Sequence, residues 1–232
     1  MSKPSIQLRT HFAVPIAEVR FPDSERLCRE LTELFLAKES EGDKWRDTYQ
    51  RDTQQGIFES GFDLFNWPDP PVQELAKKTH TALVTLVRQL NNYSGEHLAQ
   101  LRWNYHAWFH VTRTGGYQAL HNHPNASWSG IYCVDPGDTV PDRPDSGVVR
   151  FHDPKQNADM HTDHACDRMQ APFTMGSFEF RHRAGTLVLF PSYLKHEIFP
   201  YVGERPRIVM AFNSWAQQDR EDQVKSTLRA IE

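Results

Sequence analysis

The sequence predicts an α+β chain in which N-terminal helices pack on one sheet of an all-β core, a sandwich or closed jelly roll. Three observations carry that expectation. Before about residue 100, apolar residues recur at a helical period. After it, short runs rich in β-branched and aromatic residues alternate with turn signals, and no helical period interrupts them as a parallel sheet would require. Finally, 232 residues with 38% hydrophobic and 24% charged positions suit one globular domain of generous size. The expected division is a single domain, 1–232, with a mainly helical support region at 1–99 and the β core at 100–216.

The N-terminal stretch IQLRTHFAVPIAEV reads as a short strand. DSERLCRELTELFLAKE follows, placing Leu27, Leu31, Leu34 and Phe35 on one helix face, with Asp23 or Ser24 as N-cap. A second helix opens at Asp69-Pro70, and Val72, Leu75, Ala76, Leu83, Leu86, Val87 and Leu90 keep its period; Asn92 and Gly95 suit its end. The polar segment between the helices, residues 41–71, reads as an ordered loop or short hairpin. Strands are expected at 101–112, 117–121, 129–134, 147–151, 176–181, 186–190, 197–201 and 206–214.

Bulk properties narrow the partners. A formal charge of −4 argues against nucleic acid or an anionic membrane. No apolar run approaches the ~18 residues of a membrane span, and the first residues lack the apolar stretch of a signal peptide. Three cysteines at wide spacing, Cys28, Cys133 and Cys166, fit a reduced compartment, so a cytoplasmic protein is expected. A homodimer through the N-terminal helices is compatible with the sequence.

Twelve histidines carry most of the chemistry. In QALHNHPNASWSGIYCV, His121 and His123 sit at i and i+2, so on a strand both point to one side, with Cα atoms roughly 6.5 Å apart. Such a pair chelates an ion or simply ends a strand at the surface. Farther on, GTLVLFPSYLKHEIFPYVGERPRIVMAFN places His196 at the start of one strand and Arg207 at the start of another. Alternation puts Arg207, Val209, Ala211 and Asn213 on one face, and a guanidinium there binds a carboxylate through two parallel hydrogen bonds. Tyr117 has the parity of His121. The faces of Asn104, His106, Trp108 and His110, within WNYHAWFH, are not fixed by the pattern, although packing suits Trp108.

Together HNHPNASWSGIYCV, VVRFHDP and GTLVLFPSYLKHEIFPYVGERPRIVMAFN resemble the bacterial branch of Fe(II)/2-oxoglutarate-dependent oxygenases, nearly along the whole chain. The resemblance implies a double-stranded β-helix (cupin-like jelly roll), iron in its mouth, and oxidative decarboxylation of 2-oxoglutarate to succinate and CO2. His121 and His196 take the family's two histidine positions. His123 stands where the wider superfamily has Asp or Glu; the expected ligands are His121, His123 and His196, the alternative being a carboxylate such as Asp153 as third ligand. Arg207 would bind the distal carboxylate of 2-oxoglutarate, with Asn213 and Tyr117 as weaker contacts.

The expected enzyme hydroxylates a small molecule or an amino-acid or peptide side chain. Competing readings keep the barrel but change its use. A three-histidine cupin-like dioxygenase or hydrolase would not need 2-oxoglutarate, and a non-catalytic binding protein would not need metal. The segment 152–169 holds His152, His161, His164 and Cys166 and reads as a polar loop over the barrel mouth rather than a second metal site.

Overall fold

The structure, a computed structural model, describes residues 5–49, 51–155 and 161–218. Nine strands form one curled, antiparallel sheet: β1 (Ala17–Arg20), β2 (Gln54–Glu59), β3 (Leu101–His121), β4 (Trp128–Asp135), β5 (Val149–His152), β6 (Ser177–Phe180), β7 (Thr186–Pro191), β8 (His196–Ile198) and β9 (Arg207–Gln218). Their order is β1-β7-β4-β9-β3-β8-β5-β6, with β2 paired to β3 off that path. This is the double-stranded β-helix, antiparallel throughout its named pairings.

Both helices form where the apolar period places them. α1 spans Ser24–Ser40 behind Asp23, which sits in the left-handed region but makes no side-chain cap. α2 spans Pro70–Asn91, with proline in its first turn where a missing N–H costs nothing. Asn92 ends it at φ 54°, a conformation Asn tolerates better than most residues. Gly95 belongs to a short α3 (Gly95–Ala99) instead.

Alternation along the strands separates two cores. Leu187, Leu189, Ile208, Met210 and Phe212 turn outward, against Leu27, Leu31 and Phe35 of α1 and Leu75 and Leu83 of α2. Val188, Phe190, Val209 and Ala211 turn inward, meeting Val149, Phe151 and Ile198 inside the barrel. That two-sided burial is why β7 has no exposed position.

Two sequence expectations differ from the structure. The 101–112 and 117–121 runs are one long strand, and the 41–71 segment contributes β2 to the sheet. β2 lies so close to β3 that a Cβ on Gly56 would meet the Gly116 Cα at 2.8 Å. The register slips there, from Gln55↔Tyr117 to Ile57↔Thr112, and again on β3 between Gln118 and His121. The second slip reverses which side chains face inward on β3, with Trp108 and Gln118 lining the cavity before it and His121 after it. The support region therefore carries two strands as well as helices, since β1 pairs with β7 over residues 17–20.

Candidate metal centre

Three imidazoles converge at one end of the barrel. His121 ends β3 directly opposite His196 of β8. His123 follows past the strand end, fixed by its backbone N–H, which donates to the Ser192 carbonyl at 2.9 Å just after β7. One ring nitrogen from each lies within 4.8 Å of the other two, and among the described residues no other group of His, Cys, Asp or Glu gathers in this way. Ring centroids stand 4.3 Å apart for His121 and His196, 5.2 Å for His121 and His123, and 5.3 Å for His123 and His196.

The hydrogen bonds around this cluster prepare it for a cation. His121 Nδ1 lies 2.7 Å from the Ala119 carbonyl, and His196 Nδ1 lies 3.0 Å from that of Leu194. A carbonyl only accepts, so both rings donate from Nδ1 and leave Nε2 with a free lone pair. Burial holds all three rings below the ordinary histidine range: His123 to about 3, with the neighbouring His121 adding to the effect, and His196 well down. Neutral imidazoles, two of them fixed in tautomer, are the donor set that iron, zinc, copper or nickel accepts.

A cavity of about 350 Å³ opens beside the cluster, lined by His121, His123, Trp108, Asn213, Gln118 and Glu59 among others. Asn213 thus reaches the site, with its Oδ1 accepting from the Ser129 hydroxyl at 2.7 Å. Tyr117 does not line that cavity, because the slip on β3 between Gln118 and His121 turns Gln118 inward in its place. Asp153 is likewise apart from the imidazoles: its carboxylate caps the Lys155 backbone N–H at 2.9 Å, beside a separate pocket. In the 161–169 loop, His164 meets Asp167 at 3.1 Å and His161 lies 3.9 Å from Asp163, with no shared ligand cluster among the described residues; residues 156–160 lie outside them.

Arg207 is buried, at 3% exposure, and forms no ion pair among the described residues. One of its N–H groups donates to His182 Nδ1 at 3.3 Å. Burial and then the guanidinium charge hold His182 well below the usual range, which leaves it neutral and accepting. Gly147 allows this packing, since a Cβ there would come within 3.0 Å of the Arg207 Cδ. Arg207 does not line the 350 Å³ cavity; Val209 and Ala211 run between it and Asn213 along the inward row of β9.

Sequence reasoning left out a second polar group at the cavity. Glu59 of β2 stands opposite His110 of β3, with Oε2 2.6 Å from the His110 Nε2. An ionised carboxylate only accepts, so His110 donates from Nε2 to Glu59, and the Trp108 indole nitrogen lies 3.0 Å from that ring nitrogen. Arg51 pairs with Glu59 and also with Asp47, the latter at 3.0 Å. Burial alone would raise the Glu59 carboxyl, but the His110 hydrogen bond and the charges of His110 and Arg51 outweigh it and hold the group ionised. The pairing of strands 51 positions apart is not legible from local pattern.

Known proteins resemble this chain in fold and over part of its sequence. Residues 106–213 match the family model described as "Putative 2OG-Fe(II) oxygenase". Among solved structures, a Pseudomonas putida prolyl-4-hydroxylase is similar over 88% of this chain and 92% of its own, at 16% identity and TM-score 0.55. A Trichoplax adhaerens prolyl hydroxylase in complex with a hypoxia inducible factor peptide fragment is similar over 91% and 86%, at 12% identity and TM-score 0.56. HygX from Streptomyces hygroscopicus, with nickel and 2-oxoglutarate bound, is similar over 87% and 83%, at 13% identity and TM-score 0.55. No curated protein matches the chain by sequence.

Proposed function

We propose that the chain is a 2OG-Fe(II) oxygenase, an enzyme dependent on Fe(II) and 2-oxoglutarate, whose iron is held by His121, His123 and His196 and serves hydroxylation. The substrate class is a small molecule or an amino-acid or peptide side chain, in line with the peptide seen with one similar fold. The observation that carries the ligand assignment is the convergence of three neutral imidazoles within 4.8 Å.

When bound, iron, 2-oxoglutarate and dioxygen supply the oxidising chemistry, and the co-substrate leaves as succinate and CO2. The chain's own residues bind and orient. His121 and His196 keep Nε2 available because the Ala119 and Leu194 carbonyls hold their Nδ1 protons. Arg207 anchors the distal carboxylate of 2-oxoglutarate, as a buried cation without an ion-pair partner among the described residues, and His182 holds its guanidinium in place. Asn213, tied to Ser129, presents an amide to whatever enters the cavity. Phe190 and Phe151 pack on His196 at 4.9 and 5.8 Å between centroids and keep water from its inner side.

Anaerobic addition of Fe(II) and 2-oxoglutarate tests this reading. A weak visible metal-to-ligand charge-transfer band is expected in the wild type. Arg207→Ala should weaken 2-oxoglutarate binding by about 30-fold or more, the cost of leaving a buried charge unpaired, with metal content nearly unchanged. Metal binding without a band would move a three-histidine enzyme that does not use 2-oxoglutarate to the front.

A further inference from the structure

The sheet keeps an open edge beside the metal centre. β2 covers β3 only as far as Glu59, opposite His110. The chain then makes two more bonds to β3, from the Ser60 N–H to the Phe109 carbonyl at 3.1 Å and from the Ala107 N–H to the Phe62 carbonyl at 2.9 Å. After them it turns away through the single turn Leu64–Asn66. Those bonds fix the parity of the strand. Odd residues of this part of β3 send N–H and C=O toward β2, and even ones toward β9, whose ladder runs unbroken from Leu101 to Thr112. Trp103 and Tyr105 therefore present both main-chain groups on the side that β2 has left. Among the described residues no strand pairs them there, and no bond outside the ladders reaches them.

A cavity of about 580 Å³ lies along this edge. Trp103, Tyr105 and His80 of α2 line its helix side, and His106 and Trp215 its barrel side. Phe62 and His106 also line the cavity of the three imidazoles, so the two spaces share a wall. Rings lead from that wall to the ligands: Phe62 stands 4.9 Å from Trp108, and Trp108 stands 6.0 Å from His123, between centroids.

Resting on the iron and 2-oxoglutarate reading above, we propose that the substrate is an extended peptide segment, which pairs as an added strand with Trp103 and Tyr105 and passes one side chain beside His106 toward the metal cavity.

A row of unpaired N–H and C=O groups is complementary to another main chain, and a strand satisfies it in register. The pleat then sorts the side chains of the added strand. Those level with Trp103 and Tyr105 enter the aromatic, helix side of the cavity, and those level with Asn104 and His106 face the barrel. The walls are braced for an occupant: His106 meets Trp215 edge-on at 4.9 Å, and the Tyr105 hydroxyl lies 2.7 Å from His80 Nδ1.

Backbone hydrogen exchange in the full-length chain, nitrogen-labelled at Trp and Tyr, tests this by NMR. Zn(II) replaces iron and 2-oxoglutarate is present, so nothing turns over. The probes are pools of end-blocked octapeptides, each pool fixing one residue type at the centre, compared with the same amino acids free in solution. A pool that binds should slow exchange at Trp103 and Tyr105 by about 10-fold or more, through newly formed hydrogen bonds, and leave Tyr132 in mid-sheet unchanged. Tyr105→Pro lacks an N–H that the β9 ladder does not use. It should bind that pool about 5-fold more weakly than Tyr105→Ala, the worth of one hydrogen bond. Equal protection by free amino acids would overturn the proposal in favour of a small-molecule substrate. Protection by no pool, or equal affinity of the two variants, would also overturn it. So would amides already slow without peptide, since the edge would then be covered by the protein itself. Circular dichroism verifies folding, and should Tyr105→Pro not fold, exchange in the wild type decides. The charge-transfer band separates this proposal from the reading beneath it. A band without protection keeps iron and 2-oxoglutarate and loses the peptide; protection without a band overturns the oxygenase and leaves a peptide-binding edge.

Discussion

The two faces of β3 share one backbone and do opposite work. Outward, Ala107, Phe109 and Val111 are almost wholly buried against the helical layer, where Phe109 stacks on Phe35 with ring centroids 4.2 Å apart. Inward, His106, Trp108 and His110 line or border the cavity of the metal cluster, and His110 hydrogen-bonds Glu59 of β2. The period of two in a strand separates dry packing from polar chemistry without any change of element. The difference teaches that the rigid site depends on a face it never shows: the helices hold β3, and β3 holds the imidazoles.

Substitutions on the two faces should separate accordingly. On the inward side, His196→Ala should lower metal affinity by more than about 100-fold, beyond the range of outer-layer changes. The same variant should shift the melting temperature of metal-free protein less than a core truncation does. Equilibrium dialysis and thermal melts check both, and stoichiometric metal in His196→Ala would sink the ligand assignment. On the outward side, Phe109→Ala should destabilise by about 3–5 kcal/mol, measured by denaturant unfolding, while the folded fraction still binds one metal. Loss of metal stoichiometry there would show that the two faces are not separable.

Acidity gives the smallest and most graded distinction. Burial depresses His121, His123 and His196 in the folded state below the ordinary value of 6.5. Below that value the unfolded chain binds more protons than the folded one, so stability falls as pH is lowered. The loss begins near pH 6.5 and continues toward about 3, where His123 titrates. Unfolding of metal-free protein followed from pH 7.5 to 5 should show this slope, shallower in His196→Ala. A flat profile in the wild type would mean that the rings are not buried neutral.

Much of the molecule was legible in the residues. Both long helices follow from their apolar periods, and the inward row Arg207, Val209, Ala211 and Asn213 follows from simple alternation. His121, His123 and His196 come together as their spacing and the family resemblance implied. What failed was alternation carried across an irregularity: Tyr117 matches His121 in parity, yet the slip beyond Gln118 inverts the count. Glu59 and His110 were hidden for another reason. Neither has a local signature, and only the pairing of a polar inter-helix segment with β3 gives them a common purpose.

That pairing has a consequence for how the scaffold changes over time. β2 is joined to the rest of the sheet through β3 alone, yet it contributes Glu59 and Gln54 to the front wall of the cavity. A lineage could exchange this single short strand, and with it the hydrogen-bonding character seen by an incoming molecule, without disturbing the imidazoles or Arg207. The barrel is then the inherited part, and the stretch between the two helices is where new chemistry can be tried.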